Sequence, residues 1–409
     1  MGGNLPPQLA AARAAVREAV AAWRLQPAAP EGSEYDGGAH RTAATPVTAP
    51  ALPRVLVACS GGADSLALAT TCAFLARKGR LTAGAAVVDH GLQPGSAEAA
   101  GRAADQLTAL GLAPVEAIAV EVPSPGSEEQ ARAVRYAALE AAAQRWEAAE
   151  PGPPVAVLTG HTLSDQAEQV LLGLVRGSGT RSLAGIPARR GRFLRPFLGT
   201  APQGAVPDGL VGRADGLWRG DTEAICAHEG LEFWQDPTNA ERDALRNRVR
   251  LDVLPYLERE LGGGVAANLA RTAALAAADA DHLDVQAEQA LAGLRLPPTG
   301  GRQDEGAPAG DDVVLPLPGV RALDGALRPR VLRLAVRAAG GEAPTSERTA
   351  ALEGLVAGRG SAGPVQLAGH VAAYRVRDGR EHGCRGPLLV LRRTLPPPGT
   401  EAEPPWAAR

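Results

Sequence analysis

The chain has 409 residues, of which 45% are hydrophobic, 21% are charged and only 3% are aromatic, and its formal net charge is −3. This composition is that of an ordinary globular protein, long enough for two domains, whose core is filled mainly by aliphatic side chains. The small net charge does not indicate nucleic-acid binding, so any such function must rest on local clusters of arginine.

Cysteine usage and hydropathy exclude several classes of protein. The cysteines are Cys59, Cys72, Cys226 and Cys384, and the absence of a C-x-x-C pair argues against a zinc site, an iron–sulfur cluster or a disulfide framework. No apolar run reaches the roughly 18 residues that span a bilayer. The N-terminal stretch mixes charges into an Ala-rich amphipathic pattern, unlike a signal peptide. We therefore expect a cytoplasmic protein without membrane contact.

The N-terminal 53 residues are predicted to precede the first domain. Apolar side chains at helical spacing predict a helix over 8–24. The stretch 26–53 is rich in Pro, Ala, Gly and Thr and has no period, which is typical of a mobile linker.

From residue 54 onward, short apolar runs alternate with helical patterns. Four runs are predicted strands: 55–59, 81–89, 114–121 and 154–159. Four patterns are predicted helices: 64–78, 96–110, 127–146 and 163–176. This alternation predicts an α/β fold with a doubly wound, mostly parallel sheet. Ligands bind such sheets at the carboxyl ends of the strands, where Asp89, Gly160 and His161 fall.

The second half of the chain has a less regular pattern. The predicted helical stretches are 219–229, 241–260, 265–293, 323–339 and 346–357. The predicted strands are 312–316, 364–368, 371–376 and 387–392. Irregular segments are predicted at 199–217 and 297–311. We predict a first domain over 54–255, a smaller and mainly helical domain over 256–395, and a disordered tail over 396–409.

The most informative stretch follows the first predicted strand. It consists of Ser60, Gly61, Gly62, Ala63, Asp64 and Ser65. Paired glycines allow a tight turn and a close approach to a ligand, and the N–H groups of the helix that follows favour an anion. The stretch is neither a Walker A loop nor G-x-G-x-x-G. The alternative is an ordinary corner in which Ser65 only caps the helix. We favour a phosphate-binding loop.

A second acidic group follows the fourth predicted strand. Asp165 and Glu168 are three residues apart on a predicted helix and therefore share a face, with His161 one turn earlier. Two carboxylates beside phosphates are favourable if Mg²⁺ lies between them. The alternative is an acidic first turn that only stabilises its own helix dipole.

Arginines are concentrated in two places. The first runs from Arg176 and Arg181 to Arg195, and the second consists of Arg246, Arg248 and Arg250. Guanidinium groups suit phosphates because they donate two hydrogen bonds at once. Such runs are also common on solvated helix faces, but two of them near a predicted ATP site favour an RNA partner.

Seven motifs occur in one order, and together they resemble the tRNA(Ile)-lysidine synthetases, which are PP-loop ATP-pyrophosphatases. The motifs are Ser60 to Ser65, Val88 to Leu92, Arg132 to Tyr136, Gly160 to Glu168, Arg176 to Gly179, Arg195 to Leu198, and Asp236 to Asn239 followed by Arg246 to Arg250. The resemblance is strong over about 54–260, and weaker over the rest, which corresponds to that family's helical substrate-binding domain. It implies an adenine-nucleotide α-hydrolase-like fold.

The resemblance also implies a reaction. A ligase of this family uses ATP to attach free L-lysine to C2 of the wobble cytidine of a CAU-anticodon tRNA(Ile), through an adenylated cytidine, releasing AMP and pyrophosphate. A homodimer is left open.

Roles for individual residues follow from that resemblance. ATP would be bound by Ser60, Gly61, Gly62, Ala63, Asp64, Ser65, Asp89 and Gly160. The catalytic group would comprise Asp64, Arg132, His161, Asp165 and Arg195, with His161 and both arginines neutralising charge on phosphate. Asp165 and Glu168, together with Asp64, would hold Mg²⁺ or orient the incoming amine. The tRNA would be contacted by Arg176, Arg181, Arg246, Arg248 and Arg250.

Two positions depart from the family's pattern, and two other functions compete. Ser164 stands where the family usually has Asp, and Gln169 where it usually has Thr, so the metal shell has one carboxylate fewer. A tRNA thiolase is the nearest alternative, although sulfur transfer would call for nearby cysteines. A non-catalytic nucleotide- or RNA-binding protein with the same fold is the other.

Overall fold

The computed structural model describes residues 6–24, 51–89, 91, 95–121, 128–177, 179–199, 216–297, 312–359, 363–380 and 384–394. The predicted tail, nearly all of the predicted linker and most of the segments 199–217 and 297–311 lie outside these residues. The contacts divide the chain into two compact units, Met1–Ala280 and Asp281–Arg409.

The first unit contains a six-stranded sheet. Its strands are β1 (Arg54–Cys59), β2 (Thr82–Asp89), β3 (Val115–Ala119), β4 (Val155–Thr159), β5 (Arg189–Arg190) and β6 (Phe193–Leu194). The strand order is β3-β2-β1-β4-β6-β5, and only the β5–β6 pair is antiparallel. The predicted doubly wound, mostly parallel sheet is thereby confirmed.

Most helices of this part of the chain follow the predictions, but the predicted helix 241–260 begins only at Leu245 and contains a π-helical turn, and the short helix Thr180–Leu183 was not predicted. The helices are α1 (Pro7–Arg24), α2 (Ala63–Arg77), α3 (Ser96–Ala109), α4 (Glu128–Ala149), α5 (Leu163–Val175), α6 (Thr180–Leu183), α7 (Arg219–Glu229), α8 (Leu245–Arg248), α9 (Leu254–Leu261) and α10 (Val265–Leu294). Short 3₁₀ turns occupy Pro196–Leu198 and Pro237–Ala240. A π-helical turn, Val249–Val253, joins α8 to α9.

Both faces of the sheet are covered. One face carries a core made by α1, α2, α3 and α7, in which Leu9, Leu68 and Ile225 are buried. The other face carries α4, whose Leu139 and Trp146 pack against Val157 of β4. The strands are buried on both sides, which explains why β1 and β4 are continuous apolar runs.

The division between the units falls within α10, later than the predicted boundary at 255. Its start belongs to the first unit because Ala266 and Leu269 pack against the cluster of Ala167, Leu172, Val249 and Leu254.

The second unit contains a four-stranded antiparallel sheet of order β7-β10-β9-β8. Its strands are β7 (Val313–Pro316), β8 (Val365–Leu367), β9 (Val371–Val376) and β10 (Leu388–Arg393). Its remaining helices are α11 (Leu317–Ala322), α12 (Arg328–Ala338) and α13 (Ser346–Ala357). The sequence predicted these strands without their pairing. The predicted helix 323–339 was wrong at its start, because α12 begins at Arg328, next to a proline that suits a first turn.

Within the described residues, no helix combines the length and the apolar character that crossing a bilayer requires.

Candidate active site

The topology creates a crevice between β1 and β4. The chain leaves β1 for β2 on one side and returns to β4 on the other, so the connections at these two carboxyl ends run in opposite directions. Such a switch point is where open α/β sheets bind ligands. A Cβ at Gly160 would lie 2.7 Å from the backbone oxygen of Asp64, so glycine is required for the end of β4 to approach the start of α2.

The predicted phosphate-binding loop fills one side of this crevice. Gly61 has φ of +79°, a conformation that favours glycine. The N-cap residue of α2 is Gly62, which has no side chain that could accept a hydrogen bond from the first turn. The first N–H groups of α2 therefore have neither an intrahelical acceptor nor a side-chain acceptor at the N-cap, and this is the arrangement that binds phosphate.

Ser65 differs from the simple capping alternative. Its hydroxyl donates to the carbonyl oxygen of Gly62 at 2.9 Å and accepts the backbone N–H of Ser60 at 3.2 Å. Ser65 is buried whereas Ser60 is exposed. The Ser65 hydroxyl thus closes the turn from within, and Ser60 presents the outer hydroxyl of the loop.

Asp64 is held between α2 and α7. The hydroxyl of Thr222 donates to Asp64 Oδ1, and Arg219 Nε lies 3.8 Å from Asp64 Oδ2. The pKa of Asp64 is raised to about 6, mainly by burial and also by the nearby Asp165, while Thr222 and Arg219 oppose the rise. Asp64 is therefore mostly ionised at neutral pH.

Asp165 and Glu168 are bound by arginines. Asp165 Oδ2 accepts the backbone N–H of Thr162 at 2.8 Å, which caps α5, and Oδ1 accepts from Arg219 and Arg246 at 3.3 and 3.2 Å. Glu168 accepts from Arg246 Nε at 2.8 Å and from Arg250 Nε at 2.9 Å. Burial opposes ionisation of Asp165, but Arg246, Arg219 and the Thr162 N–H hold its pKa below the ordinary value.

This arrangement does not suit Asp165 and Glu168 as Mg²⁺ ligands. The Glu168 side chain is 1% exposed, and each of its oxygens already accepts from two arginines. Across the described part of the chain, no group of three His, Cys, Asp or Glu side chains could hold a metal ion. Asp64 fits better, because its Oδ2 has only the more distant Arg219 Nε as a neighbour of opposite charge.

The five predicted tRNA-binding arginines divide into two groups. Arg246 and Arg250 face inward, with side chains 23% exposed, and bind the carboxylates of α5. Arg176 and Arg248 are exposed, and Arg181 is half-buried. The sequence could not separate these groups, because all five lie in arginine-rich stretches.

His161 lies at the end of β4, with Nδ1 3.0 Å from the Thr159 hydroxyl. Burial lowers its pKa to about 3, and the positive charges of Arg195, Arg132 and Arg246 contribute, against the opposing effect of Asp165. The imidazole is therefore neutral at physiological pH. It can donate one hydrogen bond and accept another, and its role beside a phosphate stays a prediction.

Arg195 and Arg132 meet at the hydroxyl of Tyr136. Arg195 Nη2 donates to it at 2.9 Å and Arg132 Nη2 at 3.3 Å. Arg195 is buried and also donates to the carbonyl of Pro187 at 2.8 Å, whereas Arg132 is exposed. Arg132 is thus the more accessible of the two for a substrate.

Asp89 is the last residue of β2, and its Oδ1 accepts the backbone N–H of Gly91 at 3.0 Å. It lies at the predicted sheet edge, on the strand next to β1. His90 and Leu92 of the same motif lie outside the described residues.

Sequence reasoning gave no role to Arg219, Thr222 or Tyr136. One signal pointed to Arg219: it opens the helix α7, where the helix dipole disfavours a cation. Such a residue implies neighbouring negative charge, here Asp64, Asp165 and Glu168. Thr222 carried no signal of its own.

Comparisons with known proteins agree with this geometry. A PP-loop domain model matches residues 39–205, and a TilS substrate binding domain model matches residues 315–380. The solved U34-tRNA thiolase NcsA from Methanococcus maripaludis is 14% identical to this chain, with a TM-score of 0.42, and the match covers 65% of this chain and 78% of that one.

Three curated relatives, each named tRNA(Ile)-lysidine synthase, are similar over most of the chain. The protein from Leifsonia xyli subsp. xyli is 45% identical, covering 77% of this chain and 85% of the relative. The protein from Salinispora tropica is 44% identical, covering 80% of this chain and 89% of the relative. The protein from Streptomyces coelicolor is 44% identical, covering 81% of this chain and 86% of the relative. The chain therefore belongs to the tRNA(Ile)-lysidine synthase family.

Proposed function

We propose that this protein uses ATP to join free L-lysine to C2 of the wobble cytidine in the CAU-anticodon tRNA(Ile). The observation that carries the proposal is the uncapped first turn of α2 at the switch point of the sheet, with Asp64 beside it. Membership of the family, shown by relatives matched over 85% or more of their length, supplies the substrates.

The reaction has two steps in which bonds and charges balance. The C2 oxygen of the cytidine attacks the α-phosphorus of ATP, and the bond to the bridging oxygen breaks, so pyrophosphate leaves. The neutral lysine ε-amine then forms the C2–N bond, the C2–O bond breaks, and AMP leaves with the oxygen. The amine nitrogen loses one proton, which the Asp64 carboxylate accepts, and keeps the other.

The residues of this chain bind and orient the reactants. The N–H groups at the start of α2 and the Ser60 hydroxyl hold the phosphates. Arg132, exposed and hydrogen-bonded to Tyr136, supplies positive charge where negative charge develops. Ionised Asp64 is the carboxylate that can accept a proton from the amine. The buried Arg195 orients Tyr136, and neutral His161 offers one further hydrogen bond.

The proposed reaction includes Mg²⁺, because the phosphates of ATP carry negative charge that a divalent cation neutralises. It would be held by phosphate oxygens and by water molecules that donate hydrogen bonds to the Asp64 carboxylate. Asp165 and Glu168 are left to the arginines.

The exposed arginines Arg176 and Arg248 and the half-buried Arg181 are the proposed contacts to the tRNA backbone. Because ATP, free lysine and tRNA are present together in the cytoplasm, the protein is proposed to act there. A homodimer is a separate expectation, which sedimentation at micromolar protein tests directly.

The thiolase alternative is disfavoured by the state of the three cysteines in the first unit. Cys59, Cys72 and Cys226 are all buried. Burial raises the pKa of each thiol, that of Cys226 to about 12. Protonated, buried thiols are poor nucleophiles and poor metal ligands.

The test supplies purified protein with Mg-ATP, labelled lysine and a CAU-anticodon tRNA(Ile) transcript. We expect label in the tRNA, with AMP and pyrophosphate appearing in step. Asp64→Asn, the methionine tRNA with the same anticodon, and a transcript with a changed wobble base are the controls, and each should give little label. Pyrophosphate release without tRNA, or incorporation from a sulfur donor, would refute the proposal. ATP binding with no turnover would favour the non-catalytic alternative.

A further inference from the structure

Arg219 touches three carboxylates with three different nitrogens. Its Nε lies 3.8 Å from Asp64 Oδ2, its Nη2 3.3 Å from Asp165 Oδ1, and its Nη1 3.4 Å from Glu168 Oε1. The carboxylates come from two helices, α2 and α5, and Arg219 itself opens a third, α7. One guanidinium group therefore joins three helices around the crevice.

The backbone near Arg219 is also fixed to these helices. The N–H of Arg219 donates to the Ser164 hydroxyl at 3.3 Å. One turn later, Thr222 donates to Asp64, and its hydroxyl also lies 2.7 Å from the carbonyl of Arg219. The start of α7 is thereby held both to α5 and to the phosphate-binding loop.

The charges around Arg219 require a cation at this place. Asp165 disfavours ionisation of Asp64, and both side chains are largely buried. Although burial opposes it, Asp165, Glu168 and Asp64 together raise the pKa of Arg219. Arg246 and Arg250 also bind Glu168, so three arginines balance three carboxylates.

We infer that Arg219 is a positioning residue for the proposed reaction: its guanidinium fork fixes the Asp64 carboxylate relative to Asp165 and Glu168, and so aims Asp64 at the reacting amine. This inference rests on the proposed function for its chemistry but not for its geometry. A lysine could keep the charge, but its single nitrogen cannot reach three carboxylates in fixed directions.

Two variants and a matched control test the inference. Arg219→Gln removes the charge, Arg219→Lys keeps it without the fork, and Arg242→Gln removes an arginine from an exposed pair with Asp252. Pyrophosphate release with tRNA is measured well below the melting temperature of each variant. Both Arg219 variants should lose about 100-fold in kcat, a loss expected from small misplacement of a reacting group. The KM for ATP should stay within about threefold, because α2 binds the phosphates. Arg242→Gln should match the wild type.

Two further measurements separate positioning from general stability. Asp64→Asn combined with Arg219→Gln should be no slower than the slower single variant, because Arg219 acts through Asp64. Hydrogen exchange of the unliganded protein should be faster at the first turns of α5 and α7 in both Arg219 variants, but not in Arg242→Gln.

Three outcomes would overturn the inference. One is wild-type kcat in Arg219→Lys, another is additive loss in the double variant, and the third is unchanged exchange at α5 and α7. If the wild type forms no lysidine, the proposed function fails, while hydrogen exchange still decides whether Arg219 holds these helices.

Discussion

Arg250 Nε lies 2.9 Å from Glu168 Oε1, inside the protein and 82 positions apart in the sequence. From the sequence, Glu168 was expected to hold a metal ion and Arg250 to contact tRNA phosphates. In the structure the two side chains form an ion pair with each other. The pair joins α5 to the arginine-rich stretch that begins at α8, so the carboxylate motif and the basic motif form one structural unit.

Glu168→Gln should destabilise the protein. It leaves Arg246, Arg250 and Arg219 facing each other with one carboxylate fewer, and breaking a buried ion pair costs about 3–5 kcal/mol. Urea unfolding measures the loss, and Arg242→Gln, which breaks an exposed pair, should change stability by less than about 1 kcal/mol. If Mg²⁺ without ATP raised the melting temperature of the wild type but not of Glu168→Gln, Glu168 would be a metal ligand after all.

Arg248→Gln should weaken tRNA binding without affecting stability. Arg248 is exposed, whereas Arg246 and Arg250 beside it are bound to α5. Loss of one phosphate contact should lower the salt slope of tRNA binding by about 1. Filter binding across a salt series measures it, with the exposed Arg259→Gln as the control for net charge. Equal slopes for the two variants would show that Arg248 is only a solvated side chain.

Asp64→Asn should lower turnover by about 10²- to 10⁴-fold while leaving the melting temperature at pH 7.5 unchanged or higher. Burial disfavours the ionised form of Asp64, so the neutral amide removes that cost, although it weakens the contact with Arg219. Calorimetry and pyrophosphate release measure the two effects. A folded Asp64→Asn with near-normal turnover would remove Asp64 from the catalytic group.

Activity should fall as the pH is lowered through about 6. Burial raises the pKa of Asp64 to about 6, and the ionised carboxylate is the active form. His161, whose pKa burial lowers to about 3, should add no step above pH 4. A profile of kcat/KM from pH 5 to 8 measures this.

The same ionisation should affect folding with the opposite sign. The folded protein holds the Asp64 proton more tightly than the unfolded chain, so stability falls as the pH rises from about 4 to 6. Relative to Asp64→Asn, the wild type should lose about 3 kcal/mol across that window. A constant difference in urea unfolding between the two proteins would contradict the raised pKa.

The sequence predicted local structure well where local signals decide it. The helix 219–229 was predicted with the observed bounds, and its last turn ends at Gly230 in the left-handed conformation typical of a C-cap. The phosphate-binding loop was recognisable because glycines, Asp64 and Ser65 follow a buried strand within a few residues.

The partners of charged side chains could not be predicted in this way. Arg219 meets Asp64 across 155 positions of sequence, and no local pattern indicates that contact. Isolated from its neighbours, Asp165 is equally suitable as a metal ligand, a helix cap or an arginine partner, and the fold uses it for the last two. The neutral state of His161 likewise depends on burial and on Arg195. His161 follows β4 whereas Arg195 follows β6, so no local pattern joins them.

The π-helical turn Val249–Val253 restricts how the length of this segment can vary. Val249 and Leu254 are both buried in the cluster with α5, although residues five apart in a regular α-helix, at about 100° each, point in directions about 140° apart. The wider turn accommodates the extra residue. Deleting one residue here would restore regular winding but rotate either the Arg246 and Arg250 side chains or Leu254 away from α5. Single-residue gaps in this segment should therefore not be tolerated in functional relatives of the chain, and a deletion variant should lose both its ion pairs and its melting cooperativity.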